Sequence, residues 1–137
     1  MFEFIVKYFN VLKHIPLLPH IVDGFIKLHT FVFKREVLVY TDEIEKTVLS
    51  WEGTSLKLHK YGGTQFDVKN KEIGHIHSNG LLDVLLKREI KLQLIKEGRV
   101  QDHHTFSKSG WISFYIRNEK DKKYALELLE YSYILKN

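Results

Sequence analysis

The stretch TSLKLHKYGGTQFDVKNKEIGHIH, Thr54–His77, decides the fold. Leu56 and Leu58 alternate with Lys57 and His59, and Phe66 and Val68 alternate with Asp67 and Lys69. A period of two marks a strand with one buried face. Gly62-Gly63 between the two runs supplies the positive φ of a tight hairpin turn. Asn70-Lys71 reads as a second turn, and Glu72–His77 returns as a third strand. Together they predict a three-stranded antiparallel meander.

Past the meander, Asn79-Gly80 is another turn signal, and Leu81–Leu86 reads as extended chain. Lys87–Glu97 predicts a helix with Ile90 and Leu94 turned inward and Gly98 ending it. Arg99–Thr105 reads as strand or loop. Gly110–Arg117 predicts a strand. Trp111, Ser113 and Tyr115 face one way and Ile112, Phe114 and Ile116 the other, so both faces are covered and the strand is central. Asn118, with Asp121 three residues on, caps a last helix. Its expected core stripe is Tyr124, Leu128, Tyr131 and Leu135, with Ala125 and Leu129 beside it.

Before the meander, Lys34–Tyr40 is open between strand and helix. Thr41 reads as the N-cap of a helix that carries Asp42 and Glu43 in its first turn and stops near Trp51 and Gly53. Met1–Phe33 is apolar and is broken at Pro16 and Pro19 into two helical runs. Its apolar residues wrap most of the way round, which predicts packing on the chain's own domain. The alternative is a pair of amphipathic helices lying on a membrane or a partner. Glu3, Lys7, Lys13, Asp23 and Lys27 interrupt both runs, so neither has the roughly 18 uncharged residues of a spanning helix. No basic start or small-residue cleavage site suggests a signal peptide. The fold class expected is α+β. It has N-terminal helices, an antiparallel sheet of about five strands, one mid-chain helix and a C-terminal helix on the sheet. Residues 1–50 form the helical segment and 51–137 the α+β domain of one compact unit.

A chain of 137 residues, 44% of them apolar, can bury a real core without staples. It has no cysteine, which excludes disulfides and fits a reducing cytoplasm. The net charge of +4 comes from 21 basic against 17 acidic residues, scattered with no Arg-rich tract. That is an ordinary solvated surface and predicts no nucleic-acid partner. Nucleophile elbow, Walker loop, dinucleotide fingerprint, HExxH and CxxC are all missing.

The chemical signal is Glu72–Asp83, EIGHIHSNGLLD. His75 and His77 share one strand face, their Cα atoms roughly 6–7 Å apart. They could share a metal with a third ligand from another segment. His103 and His104 are candidates, of which one can face the right way, and Asp83 is another. Glu72 has the opposite parity. A metal-free polar pocket and a purely structural role are the other readings. His14, His20, His29 and His59 read as surface or packing residues. Trp111 and Tyr115 could line an aromatic pocket or fill the sheet core.

The ordered set of motifs resembles a known family. It comprises Tyr61-Gly62-Gly63 with Phe66, Glu72-Ile73-Gly74-His75-Ile76-His77, Leu82-Asp83, Glu97-Gly98-Arg99, His103-His104, and Ser109-Gly110-Trp111-Ile112-Ser113-Phe114 with Ile116-Arg117. From Trp51 to Tyr133 the chain resembles the small luciferase-domain family, many of whose members are bacterial. The family is named for its similarity to the luciferase of luminous fungi, which joins molecular oxygen to a hydroxylated pyrone and is not known to need an organic cofactor. The resemblance implies that His75, His77, Asp83, Arg99, His103, His104, Trp111 and Arg117 are motif residues. It also favours a membrane-surface role for Met1–Phe33, since fungal members begin with an apolar segment.

The function expected is binding of a small aromatic or enolic molecule in a histidine-lined pocket, with oxygen-using oxidoreductase chemistry. His75, His77, His103 and His104 are the catalytic candidates. His75 or His77 acts as base, Arg99 or Arg117 holds the anion, Trp111 stacks on the ligand, and Asp83 and Tyr115 complete the ligand site. No cofactor is required, and a divalent metal on His75, His77 and His104 is allowed. The alternative is a non-enzymatic interaction module that docks a partner or a membrane through its N-terminal helices. Peripheral membrane contact and homo-oligomers fit either reading.

Overall fold

The computed structural model describes residues 17–137. The first apolar run therefore lies outside the described residues. Helix α1, Leu18–Phe33, begins with Pro19 in its first turn, where a missing N–H costs nothing. Only Pro19 and Thr30 of this helix are buried. The expected packing all round is not found: Ile21, Phe25, Leu28, Phe31, Val32 and Phe33 are exposed. The helix touches its neighbour α2 and is tied to a sheet loop through Asp23, which accepts from Ser78 Oγ at 3.0 Å. The Gly62-Gly63 turn also lies against it: a Cβ on Gly62 would stand 2.6 Å from Asp23 Cβ and 3.2 Å from the Pro19 carbonyl oxygen.

Helix α2, Arg35–Leu49, is continuous and absorbs the segment left open by the sequence. Thr41 is not an N-cap. It lies inside the helix, where its hydroxyl donates to the Val37 carbonyl at 2.9 Å. Val37, Thr41, Ile44 and Val48 form the buried stripe, and burying it outweighs the weak helix propensity of Val37-Leu38-Val39.

Six strands form one antiparallel sheet. They are β1 (Thr54–Leu58), β2 (Thr64–Val68), β3 (Lys71–Ile76), β4 (Leu81–Leu85), β5 (Gln101–Asp102) and β6 (Trp111–Tyr115), in the order β1-β2-β3-β4-β6-β5. The strand beyond the expected five is β5, a two-residue piece of Arg99–Thr105. By pairing with β6 it places that strand inside the sheet, between β4 and the short edge β5. The meander forms as expected, but its second turn falls on Lys69 and Asn70, both left-handed. Gly63 has φ 83°, and a Cβ there would stand 2.2 Å from the Ile76 carbonyl oxygen.

Helix α3, Arg88–Lys96, buries Lys91 and Leu94 and stops at left-handed Gly98. Helix α4, Glu119–Lys136, is capped by Asn118, whose Oδ1 accepts from Asp121 N at 3.0 Å. Its buried stripe is Ala125, Leu128, Leu129 and Ser132. Tyr131 and Leu135, expected in the core, are exposed. Ser132 can take the buried place because its hydroxyl donates to the Leu85 carbonyl at 2.7 Å. Gly74 lets α4 approach β3: a Cβ there would meet the Asp83 carbonyl at 2.6 Å and Leu129 at 3.1 Å.

The core lies between α2, α4 and one face of the sheet. It contains Ile44, Val48, Phe66, Ile73, Ile76, Leu82, Val84, Ile112, Leu128 and Leu129. The class is α+β, with four helices among the described residues.

Candidate functional site

The sheet's other face is polar. The register places Lys57, Gln65, His75, Asp83 and Ser113 side by side across five strands. Strict alternation would put Glu72 on the apolar face. However, Phe66 pairs with Gly74 while Asp67 pairs with Glu72, so Ile73 is an extra residue, a β-bulge in β3. The bulge resets parity and brings Glu72 to the polar face, where its Oε1 lies 2.7 Å from His75 Nδ1. A carboxylate only accepts, so Nδ1–H donates and His75 Nε2 is turned the other way.

That Nε2 faces Asp83, which is fully buried. Asp83 Oδ1 accepts from Ser113 Oγ at 2.5 Å. Its Oδ2 lies 3.2 Å from His75 Nε2, 3.5 Å from His77 Nε2 and 3.7 Å from His103 Nε2, yet no hydrogen bond reaches it. His103 is held by its Nδ1, which accepts from the backbone N–H groups of Thr105 and Phe106, each at 3.1 Å. Its proton is therefore on Nε2. His59 stacks on His75, ring centroids 3.8 Å apart, and Trp111 lies 5.4 Å from His75 and 6.0 Å from His103.

The charges follow from this packing. Burial works against the ionised form of Asp83, but the facing imidazoles of His103, His75 and His77 outweigh it and hold the carboxyl far below its usual range. Burial also opposes charge on His75, and there the Asp83 and Glu72 carboxylates win and raise its pKa. His59 is pushed down to about 3, first by burial and then by His75 and His77. Burial and the adjacent His103 lower His104.

Residues 70–132 match the family model described as the luciferase domain. Over that stretch, a little under half of the chain, the sequence is similar to the luciferase domain. The matched stretch includes every motif histidine together with Asp83 and Trp111, in agreement with the resemblance read from the sequence. No curated protein matches the chain.

The luciferase-like stretch thus gathers His75, His77, Asp83, His103 and Trp111 about one point. His104 is exposed and stacks on the outside of His103, so of that pair it is His103 that turns inward, not His104. Arg99 is elsewhere: its guanidinium lies over Tyr124 of α4 at 4.4 Å, with Glu97 3.8 Å away. Arg117 is exposed and lies over the Tyr115 ring at 5.3 Å. Tyr115 itself is half-buried on the polar face, in register with Leu81.

Sequence reasoning missed four members of this neighbourhood. His59, which the sequence leaves as a surface or packing residue, is buried: the hairpin register puts it beside Gly63 and hence in the row of His77. Glu72 was hidden by the bulge, and Ser113 by its small size. Lys91 is buried and clamps the β5–β6 loop to α3, donating to the carbonyls of Ser107 (2.8 Å) and Ser109 (2.9 Å) and pairing with Asp102 (2.6 Å).

Proposed function

We propose that the luciferase-like stretch binds a small enolic or phenolic molecule over the histidine face, takes its acidic proton and lets the resulting anion react with molecular oxygen. The observation that carries this reading is the relay Glu72–His75–Asp83. One carboxylate fixes the ring, and the other is set where positive charge would develop on the imidazoles. His77 is the more open of the two strand histidines, with 15% of its side chain exposed against 9% for His75. The substrate O–H gives its proton to an imidazole of this cluster. The electron-rich carbon of the enolate then forms a bond to one oxygen atom of O2, and the peroxide anion recovers the proton. Trp111 offers a flat apolar surface beside the rings. With Arg99 over Tyr124 and Arg117 over Tyr115, the anion is held by the imidazolium so formed.

The test uses a panel of hydroxypyrones and phenols. Binding is read from tryptophan fluorescence and turnover from oxygen uptake. The expected result is uptake with one class of compound that falls at least roughly 100-fold in His77→Ala and His75→Ala, the usual cost of losing a general base. Folded variants that bind and consume oxygen like the parent would reject the reading.

One observation favours a second, non-enzymatic reading. The exposed Phe25, Leu28, Phe31, Val32 and Phe33 lie on a single helix. An apolar surface of this kind marks an interaction site for a partner protein or a membrane surface. Among the described residues no helix is long and apolar enough to cross a membrane.

A further inference from the structure

The geometry points to a binding site for a divalent first-row transition-metal ion, with His75 Nε2, His77 Nε2 and Asp83 Oδ2 as its three protein ligands. The site does not rest on the oxygen chemistry proposed above: the ion takes the place of a proton on these nitrogens, so proton uptake by His75 or His77 belongs to the metal-free protein.

The first argument concerns two acceptors. In its neutral form His75 keeps its proton on Nδ1, toward Glu72, and Nε2 then presents a lone pair to a carboxylate oxygen 3.2 Å away. Two lone pairs so placed need a cation between them. A proton on an imidazole can balance the charge, but it makes no well-aligned hydrogen bond to Oδ2, whereas a metal ion can coordinate both atoms at once. The second argument concerns burial. Asp83 is 0% exposed, and a buried carboxylate oxygen without a partner is costly unless charge or coordination offsets it. Its other oxygen already accepts from Ser113, which orients Oδ2 toward the histidines.

Distances support the same assignment. The ligand atoms of His75, His77 and Asp83 all lie within 4.8 Å of one another. Ligands of a cation bound at ~2.1 Å stand roughly 3.0 Å apart in octahedral and 3.4 Å in tetrahedral coordination. The observed separations from Oδ2 are 3.2 and 3.5 Å. Two imidazoles and one carboxylate favour iron, cobalt, nickel or zinc over calcium or magnesium, and leave positions open for water or a substrate oxygen. The Glu72–His75 hydrogen bond is the outer support such ligands usually have.

The structure also separates the ligands from their neighbours. His103 cannot be one: its Nδ1 accepts two backbone hydrogen bonds, so Nε2 carries the proton and can only donate. A second grouping, His59, Glu72 and His75, uses a His75 nitrogen already committed to Glu72.

The test uses full-length protein stripped with a chelator and titrated with Co(II) alone, so failure of the metal site and failure of the oxygen chemistry remain distinguishable. The expected result is one equivalent bound, with visible ligand-field bands. Asp83→Asn and His77→Gln should each weaken binding at least roughly 100-fold, Glu72→Gln by about 10-fold, and His103→Gln only slightly. Binding that survives Asp83→Asn in a folded protein, or no binding at all, overturns the proposal. A measurement on the unmutated chain covers variants that fail to fold. Paramagnetic broadening of the ring 1H–15N signals should strike His75 and His77 first and leave His29, exposed on α1, untouched. Broadening confined to His29, or to none of the histidines, overturns the proposal as well.

Discussion

Asp83 keeps its charge where water does not reach, and the surrounding imidazoles share the consequences. His59 carries the clearest one. Its folded pKa is about 3, against 6.5 for an ordinary histidine. Between those values the unfolded chain binds a proton that the folded chain refuses. The contribution of His59 is therefore whole above pH 6.5 and is lost as pH falls toward 3, by up to about 1.4 kcal/mol per pH unit. In chelator-treated protein, urea midpoints should fall on acidification from pH 6.5 to about 5.5, above the range where carboxylates protonate. His59→Phe, which can still stack on His75, should flatten that limb. Equal slopes in parent and variant would assign the effect to other groups. At this scale the sequence was informative wherever chemistry was local. Adjacent strand histidines, an aspartate and a nearby tryptophan were visible as a set. His59 was not, because its place depends on pairing across a hairpin rather than on its own neighbours.

The elements show where a repeating pattern suffices and where it fails. Period-two alternation and glycine turns identified the meander, and Asn118 with Asp121 identified the start of α4. The bulge at Ile73 has no signature in composition, since an extra residue in a strand looks like any other, yet it determines which side Glu72 takes. In α4 the apolar residues alone suggested a stripe through Tyr131 and Leu135. The helix is turned instead so that Ser132 reaches the Leu85 carbonyl and Tyr131 stays outside. Two substitutions distinguish these orientations. Leu128→Ala should cost about 2–5 kcal/mol of unfolding free energy, as a truncated core leucine does. Tyr131→Lys should stay within about 0.5 kcal/mol, as at an exposed site. Chemical denaturation of both variants is the measurement, and a comparable loss from Tyr131→Lys would restore the stripe read from the sequence.

For the whole molecule the question is where the folding unit begins. The apolar N-terminal third is continuous in composition, so the sequence alone suggested dividing the chain at residue 50. Packing suggests a different place. Ile44 and Val48 of α2 are completely buried in the same core as the sheet, whereas α1 buries only Pro19 and Thr30. Each fully buried aliphatic side chain is worth about 1.5–3 kcal/mol. Removing Val37, Ile44 and Val48 together would consume much of a margin that is typically about 5–15 kcal/mol. It would also uncover the sheet face that α2 protects. Residues 35–137 should accordingly fold, with a cooperative thermal transition and the near-ultraviolet signal of Trp51 against Tyr133, whose rings lie 5.2 Å apart. Residues 51–137 should not. If α1 is a docking helix, residues 35–137 should also lose any self-association or liposome binding that the full chain shows. A well-folded 51–137 fragment, or an unfolded 35–137 fragment, would contradict this account of the core. In the second case the exposed phenylalanines of α1 would have to be serving the chain's own stability.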